Sequence, residues 1–182
     1  CNYIKQHDSK KPFFLYVPHV APHWPLHARE ATIKSYESLY LKGWDVLAEE
    51  RKQKLVKQGW FDKAVSETKS HERAIKWDEF SEDTKKWYAR RMATYAAMVE
   101  SLDDGVGDIL KTIKSKGIEK DTLIIFLSDN GGCAEEIGPK GRAKGFPLKT
   151  RSGKLIRLGN DPKIDPGPED TYASYGLEWA QF

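Results

Sequence analysis

Cysteine is scarce: the 182 residues hold two, Cys1 and Cys133. Two are too few for a disulfide framework, and their separation fits no zinc-binding spacing, so the redox compartment stays open. Long apolar runs are also missing. The stretch from Phe13 to Pro18 is far shorter than the roughly 18 residues a membrane span needs, so no span is expected. A strong charge of one sign is absent too. The net charge of +3 is too mild to argue for a nucleic-acid partner. No internal repeat occurs. The chain opens at Cys1, inside the charged segment CNYIKQHDSKK, with no initiating methionine or targeting signal. It is expected to be a piece of a longer protein.

What is present suits a globular domain. Hydrophobic residues make up 39% and charged residues 31%, a balance unlike that of disordered chains. The length suffices for one domain with a sizeable core. Six Trp and eight Tyr point to aromatic packing or an aromatic-lined pocket.

Phe13 to Val17 (FFLYV) is a short continuous apolar run and is expected to form a buried strand. VPHVAPHWPLH follows, with three prolines and three histidines in eleven residues. Proline at that density forbids helix or central strand, so this segment is a loop leaving the strand end. Residues 31 to about 80 are rich in charge and Trp, with helix expected around Trp44 to Gln58 and a surface excursion over VSETKSHERAIKW. A long helix then starts at Ser81, a good N-cap, with Glu82 and Asp83 in the first turn where negative charge suits the dipole. Tyr88, Met92, Tyr95, Val99, Leu102, Val106, Ile109 and Ile113 recur in steps of four and three and lay one apolar stripe along it. Lys111, Lys114 and Lys116 crowd its end, and Gly117 is a natural stop. TLIIFLS, residues 122–128, is apolar on both faces, as expected of a strand covered by helices on each side. The order strand, helix, strand reads as α/β. From Gly138 onward Gly, Pro, Lys and Arg dominate, and a loop-rich tail that wraps other elements is expected.

Two segments carry chemistry. Ser128-Asp129-Asn130-Gly131-Gly132 lies at the carboxyl end of the second expected strand, the edge where α/β sheets bind ligands. A carboxylate beside a carboxamide offers two hard oxygens to calcium or magnesium, and glycines let backbone fold around an ion. Asn-Gly is also a strong turn signal, although CAEEIGPKGRAKG offers no second strand for a hairpin. Ala21-Pro22-His23-Trp24-Pro25-Leu26-His27 lies beyond the end of the first. Histidine suits proton or hydrogen-bond donation near neutral pH, and flanking prolines hold it rigidly; the plain alternative is a surface histidine in a stiff loop. His19 and His27 add possible ligands, but three histidines without an acidic partner are no zinc signature. The basic run Lys140 to Lys154 either lines an anionic path or is a solvated loop. Asp103 and Asp104 are adjacent on the expected helix, point apart, and read as surface charges rather than a catalytic pair.

Three of these stretches, KPFFLYVPHVAPHWPLHA, YAAMVESLDDGVGDIL and DTLIIFLSDNGG, in that order and spacing, resemble the arylsulfatases of the sulfatase family. The later GRAKGFPLKTRSGKLIRLGNDPKIDPGPEDTYASYGLEWA is similar to an insertion in bacterial arylsulfatases. The resemblance implies part of an alkaline-phosphatase-like α/β fold, a mixed, mostly parallel sheet flanked by helices. Its core elements would be 11–28 and 81–133, with a charged helical excursion at 31–80 and a loop-rich insertion at 138–182. It implies a sulfuric ester hydrolase acting on a sulfate-ester small molecule or a sulfated carbohydrate, periplasmic or secreted. The nucleophile is a formylglycine made from a Cys/Ser-x-Pro-x-Arg motif, helped by calcium held on acidic and amide side chains and by His and Lys at the sulfate. Carried over by position, Asp129 and Asn130 match the second pair of calcium ligands, and His23 matches the histidine that contacts sulfate and leaving group.

The departures matter equally. No Cys/Ser-x-Pro-x-Arg occurs in the sequence. The formylglycine, the first acidic calcium pair and a Gly-Lys-Trp-His segment are expected upstream of Cys1, and the late active-site Lys beyond Phe182. The chain alone is therefore expected to be inactive, and a slice from mid-sheet leaves strand edges unpaired and apolar faces exposed. Alternatives within the resemblance are a phosphatase, phosphodiesterase or phosphonate hydrolase of the same superfamily, and a catalytically silent homologue that binds sulfated glycans.

Overall fold

The computed structural model describes residues 1–61 and 74–181. In chain order its elements are α1 (Asn2–Gln6), α2 (Glu30–Tyr40), α3 (Trp44–Lys57), α4 (Glu82–Ser115), β1 (Arg157–Leu158), β2 (Thr171–Tyr172) and α5 (Leu177–Gln181), with short 3₁₀ turns at Trp77–Glu79 and Glu119–Asp121. The architecture is mixed α/β and mostly helical. The sheet has two parallel strands, with Arg157 opposite Thr171 and Leu158 opposite Tyr172.

α4 is the organising element, and its ends follow from local chemistry. The Ser81 hydroxyl accepts the Thr84 backbone N–H at 3.3 Å, Glu82 and Asp83 occupy the first turn, and Gly117 follows the C-cap at φ 69°, as a helix stop requires. The buried face differs from the expected stripe. Of the eight stripe residues only Ile113 is buried, while Val99 is 40% exposed. The covered face is instead Ala89, Ala93 and Ala97 with Trp87, Arg91, Thr94 and Met98. Alanines let α2 come close: Ile33 of α2 is wholly buried against Ala93 and Ala97, flanked by Tyr36 and Tyr40. Burying such an isoleucine contributes about 2 kcal/mol. Arg90 bolts the contact at its rim, donating to Glu30 at 2.7 Å and Glu37 at 2.6 Å and, through Nε, to the Pro166 carbonyl at 3.1 Å.

A second cluster is aromatic. Trp44, at the start of α3, is fully buried and meets Trp77, Phe80, Tyr88 and Trp179 edge-on at centroid distances of 4.7 to 5.6 Å. These geometries favour the ring quadrupoles. Most of the VSETKSHERAIKW stretch lies outside the described residues, but its last residue, Trp77, belongs to this cluster rather than to a surface excursion. At the other end of α4, Lys116 Nζ donates to the carbonyls of Lys5 and His7 at 3.0 and 2.6 Å, placing a cation at the end of α1.

Two sequence expectations change here. Phe13–Val17 and Thr122–Ser128 run without ladder partners and are not buried: Phe14 is 89% exposed, Leu123 86% and Phe126 72%. Both have strand-like sequences, but a strand is completed by a neighbour's hydrogen bonds, and no described segment pairs with either. The tail is loop-rich, and it also contributes to the core. Thr171 to Ser174 are all buried, and Tyr172 is among the best-covered side chains of the molecule. Among the described residues no helix is long and apolar enough to cross a membrane.

Candidate functional site

The loop bearing His23 is held from both sides. Ala21–Pro22 and Trp24–Pro25 are cis peptides, and the His23 N–H donates to the Val20 carbonyl at 2.8 Å. The tail runs alongside: Leu26 N–H donates to Ala173 O at 3.0 Å, Ala28 N–H to Gly167 O at 3.1 Å, and His27 Nε2–H to Thr171 O at 2.8 Å. Tyr175 caps the turn, accepting the Trp24 N–H at 2.8 Å and donating to the Pro22 carbonyl at 3.0 Å. Burial pushes the Tyr175 phenol up to about 12, so it stays protonated at neutral pH.

His23 itself is exposed. Its Nδ1 lies 2.6 Å from the Trp24 carbonyl. A carbonyl can only accept, so Nδ1 carries the proton and Nε2 is the nitrogen left for another partner. The ring stacks near Trp24 at 5.5 Å. The other two histidines serve elsewhere: His27 is spent on Thr171, and His19 lies beside Gly105 of α4.

Asp129 and Asn130 form an exposed turn at the end of residues 122–128. Ser128 Oγ donates to the Asn130 carbonyl at 2.7 Å, and Asn130 Nδ2 donates to the Gly131 carbonyl at 2.9 Å. The amide nitrogen is thereby engaged and the side-chain oxygen left for another partner. With the Asp129 carboxylate this makes two hard oxygen donors, the type calcium prefers. Among the described residues no group of three or more His, Cys, Asp or Glu converges on one point. The donor type fits calcium, and two side chains are a fraction of the about six to eight oxygens it takes.

Five residues later the same segment is pinned hard. Glu135 Oε2 accepts the Trp24 indole N–H at 2.6 Å. Its carbonyl accepts from Ser174 Oγ at 2.8 Å and from Gly176 N–H at 3.1 Å. Glu136 pairs with buried Arg91 of α4 and accepts from Asn160 at 2.6 Å. Gly176, at φ 86°, sits where any Cβ would run into the Arg91 guanidinium. Ser174-Tyr175-Gly176 is therefore a hub: the tyrosine holds the His23 loop while its neighbours hold the segment after Asn130. No hydrogen bond or ring contact joins His23 directly to Asp129 or Asn130 among the described residues; the link runs through Trp24 and Glu135.

Sequence reasoning missed this hub. A Tyr-Gly step inside a Gly-, Pro- and Lys-rich tail carries no signal beyond a turn. The basic run is largely exposed, but Phe146 packs on Tyr172 at 4.1 Å, and Tyr172 meets Trp24 edge-on at 5.5 Å. An open cavity of about 450 Å³, lined by Tyr88, Ala134, Glu136, Leu177 and Glu178, contains none of the candidate residues.

Comparison with known proteins gives one family. The model of the Sulfatase family matches residues 2–167. The chain is 35% identical to an uncharacterized sulfatase of Schizosaccharomyces pombe over 181 residues, covering 98% of this chain and 31% of that protein. It is 27% identical to an arylsulfatase of Klebsiella aerogenes over 179 residues, 98% of this chain and 36% of that protein. A steryl-sulfatase of Mus musculus is 41% identical over 51 residues, 28% of this chain and 8% of its own. The chain spans about a third of the length of the first two relatives, at 31% and 36%.

Proposed function

Because this chain belongs to the sulfatase family, we propose that the protein containing it hydrolyses sulfate esters, with His23, Asp129 and Asn130 in its active site. The observation that carries this reading is the Trp24–Glu135 hydrogen bond at 2.6 Å, which ties the His23 loop to the segment that follows Asp129 and Asn130. The two motifs share one anchor although a long helix separates them in sequence.

Asp129 and Asn130 would hold calcium through their side-chain oxygens, and the ion would supply Lewis-acid stabilisation of charge on the sulfate. His23 keeps its Nδ1 proton on the Trp24 carbonyl, which leaves Nε2 of the exposed ring as the nitrogen to meet substrate. In the protonated ring, Nε2–H donates to a sulfate oxygen and then passes its proton to the departing alcohol oxygen. The nucleophile, a formylglycine in the family pattern, has no precursor motif in these 182 residues. The chain by itself is therefore inactive in this reading. The half-covered stripe of α4 and the two unpaired apolar segments suit a larger alkaline-phosphatase-like sheet. Its core would use 11–28 and 81–133, with 31–80 and 138–182 as excursions. The substrate is an aryl or carbohydrate sulfate.

The test uses the full-length protein on an aryl sulfate, an aryl phosphate and an aryl phosphonate, with calcium and after chelation. Calcium-dependent cleavage of the sulfate, weakened in Asp129→Ala and Asn130→Ala with a higher calcium requirement, supports the proposal. Preference for the phosphorus esters selects the phosphatase or phosphonate hydrolase reading. Binding of sulfated glycan without turnover selects the silent homologue.

A further inference from the structure

Between Pro22 and Pro25 only His23 and Trp24 carry backbone N–H groups, because proline has none. The His23 N–H is satisfied within the turn by the Val20 carbonyl at 2.8 Å. The Trp24 N–H has one acceptor, the Tyr175 hydroxyl at 2.8 Å, and the same hydroxyl donates to the Pro22 carbonyl at 3.0 Å. A single oxygen thus ties the peptide groups on both sides of His23. The phenol ring is itself fixed, edge-on to Tyr95 of α4 at 5.7 Å, and it meets the His23 ring edge-on at 6.4 Å. The Trp24 carbonyl that fixes the His23 tautomer belongs to the residue whose N–H Tyr175 holds. Rotation of that residue would release the imidazole.

We infer that Tyr175 is a positioning residue for His23, setting the direction and tautomer of the imidazole through its two hydrogen bonds to the flanking backbone. The inference rests on the proposed role of His23 at the sulfate and the leaving group. Tyr175 touches no reacting atom in this account. Burial raises its phenol to about 12, so the hydroxyl remains both donor and acceptor across the pH range of catalysis.

The experiment is a double-mutant cycle in the full-length protein: Tyr175→Phe, His23→Ala and the pair, assayed on sulfate esters with good and poor leaving groups. Tyr175→Phe is expected to lower kcat roughly tenfold to a hundredfold, the scale of a displacement of about 1 Å at a catalytic group. The loss grows as the leaving group worsens, and KM changes little. In the His23→Ala background the same substitution has no further effect, because nothing remains to be positioned. Equal losses in both backgrounds overturn the inference and leave the role of His23 intact. A silent His23→Ala on the poor leaving group instead overturns that role, and the inference with it. If Tyr175→Phe does not fold, a fluorinated tyrosine at position 175 keeps the shape and ionises at lower pH. Its phenolate cannot donate to Pro22, so the kcat profile gains a limb that is absent in His23→Ala; a profile without that limb overturns the inference.

Discussion

Glu136 meets Arg91 through both carboxylate oxygens, at 3.1 and 3.0 Å, with the arginine side chain 1% exposed and the glutamate 43%. The pair is lopsided. The guanidinium lies over Trp87 and Tyr88, each centroid 4.8 Å away, while the carboxylate keeps contact with water. Among the described residues Arg91 Nε has no hydrogen-bond partner, so the cation depends on Glu136 for its compensation.

That asymmetry fixes the order of two mutant stabilities. Glu136→Ala leaves a buried charge uncompensated and is expected to destabilise the protein by about 3 kcal/mol, the lower end for broken buried pairs. Arg91→Met removes the buried charge and leaves a carboxylate that water can solvate, so its loss is smaller. Urea unfolding of both variants checks the order. Arg91→Met as the more damaging change would show that the stacking on Trp87 and Tyr88 outweighs the ion pair.

Ser81→Ala removes the cap at the start of α4 and is expected to cost about 1 kcal/mol. Ser81→Asp keeps an acceptor beside the helix dipole and should restore most of it. Thermal melts of the three proteins decide, and equal melting temperatures would mean the helix start is held by packing alone.

Alkali should unfold the protein before all of its tyrosines ionise. Burial raises the phenols of Tyr88 and Tyr175 to about 12 from an ordinary 10.0. Below pH 10 both are protonated folded or unfolded, so their effect on stability is nil. Between about 10 and 12 the unfolded chain releases these protons and the folded one keeps them, so stability falls as pH rises. Following phenolate absorbance and circular dichroism together tests this. The last phenols should appear with the loss of structure, and in Tyr175→Phe the decline should be shallower.

His23→Ala in the full-length enzyme should lower kcat about a hundredfold to ten-thousandfold on a sulfate ester with a poor leaving group. The loss should be much smaller for a nitrophenol, which departs without a proton. The melting temperature should move little, because the ring is exposed. A large drop in melting temperature with leaving-group-independent kinetics would assign His23 to structure.

Helix α4 was legible because its signals are local: Ser81, Glu82, Asp83, Lys114 and Gly117 all act within a turn of its ends. Helix α3 was legible for the same reason. Helix α2 was not singled out, since EATIKSYESLY buries one residue, Ile33, against an alanine face some sixty positions later. The segments FFLYV and TLIIFLS show strand propensity, but propensity does not supply a partner. His23, Asp129 and Asn130 were chosen by side-chain chemistry and strand-end position. What holds the His23 loop in shape was invisible, because Tyr175 lies 151 and 153 residues from the backbone groups it binds. Contacts at that distance leave no periodicity to read.

The two bare apolar runs carry a liability that their borders restrain. Five or more strand-forming residues with free backbone, such as Leu123 to Leu127, are templates for cross-β stacking between copies. Gatekeeping residues stand on either side: Lys10, Lys11 and Pro12 before the first run and Pro18 after it, Asp121 and Asp129 around the second. Repeated at every rung of a fibril, those charges repel, and the prolines break the ladder. Wherever the second run is left unpaired, Asp129 would then be one of the charges that restrain stacking as well as an oxygen donor of the proposed site.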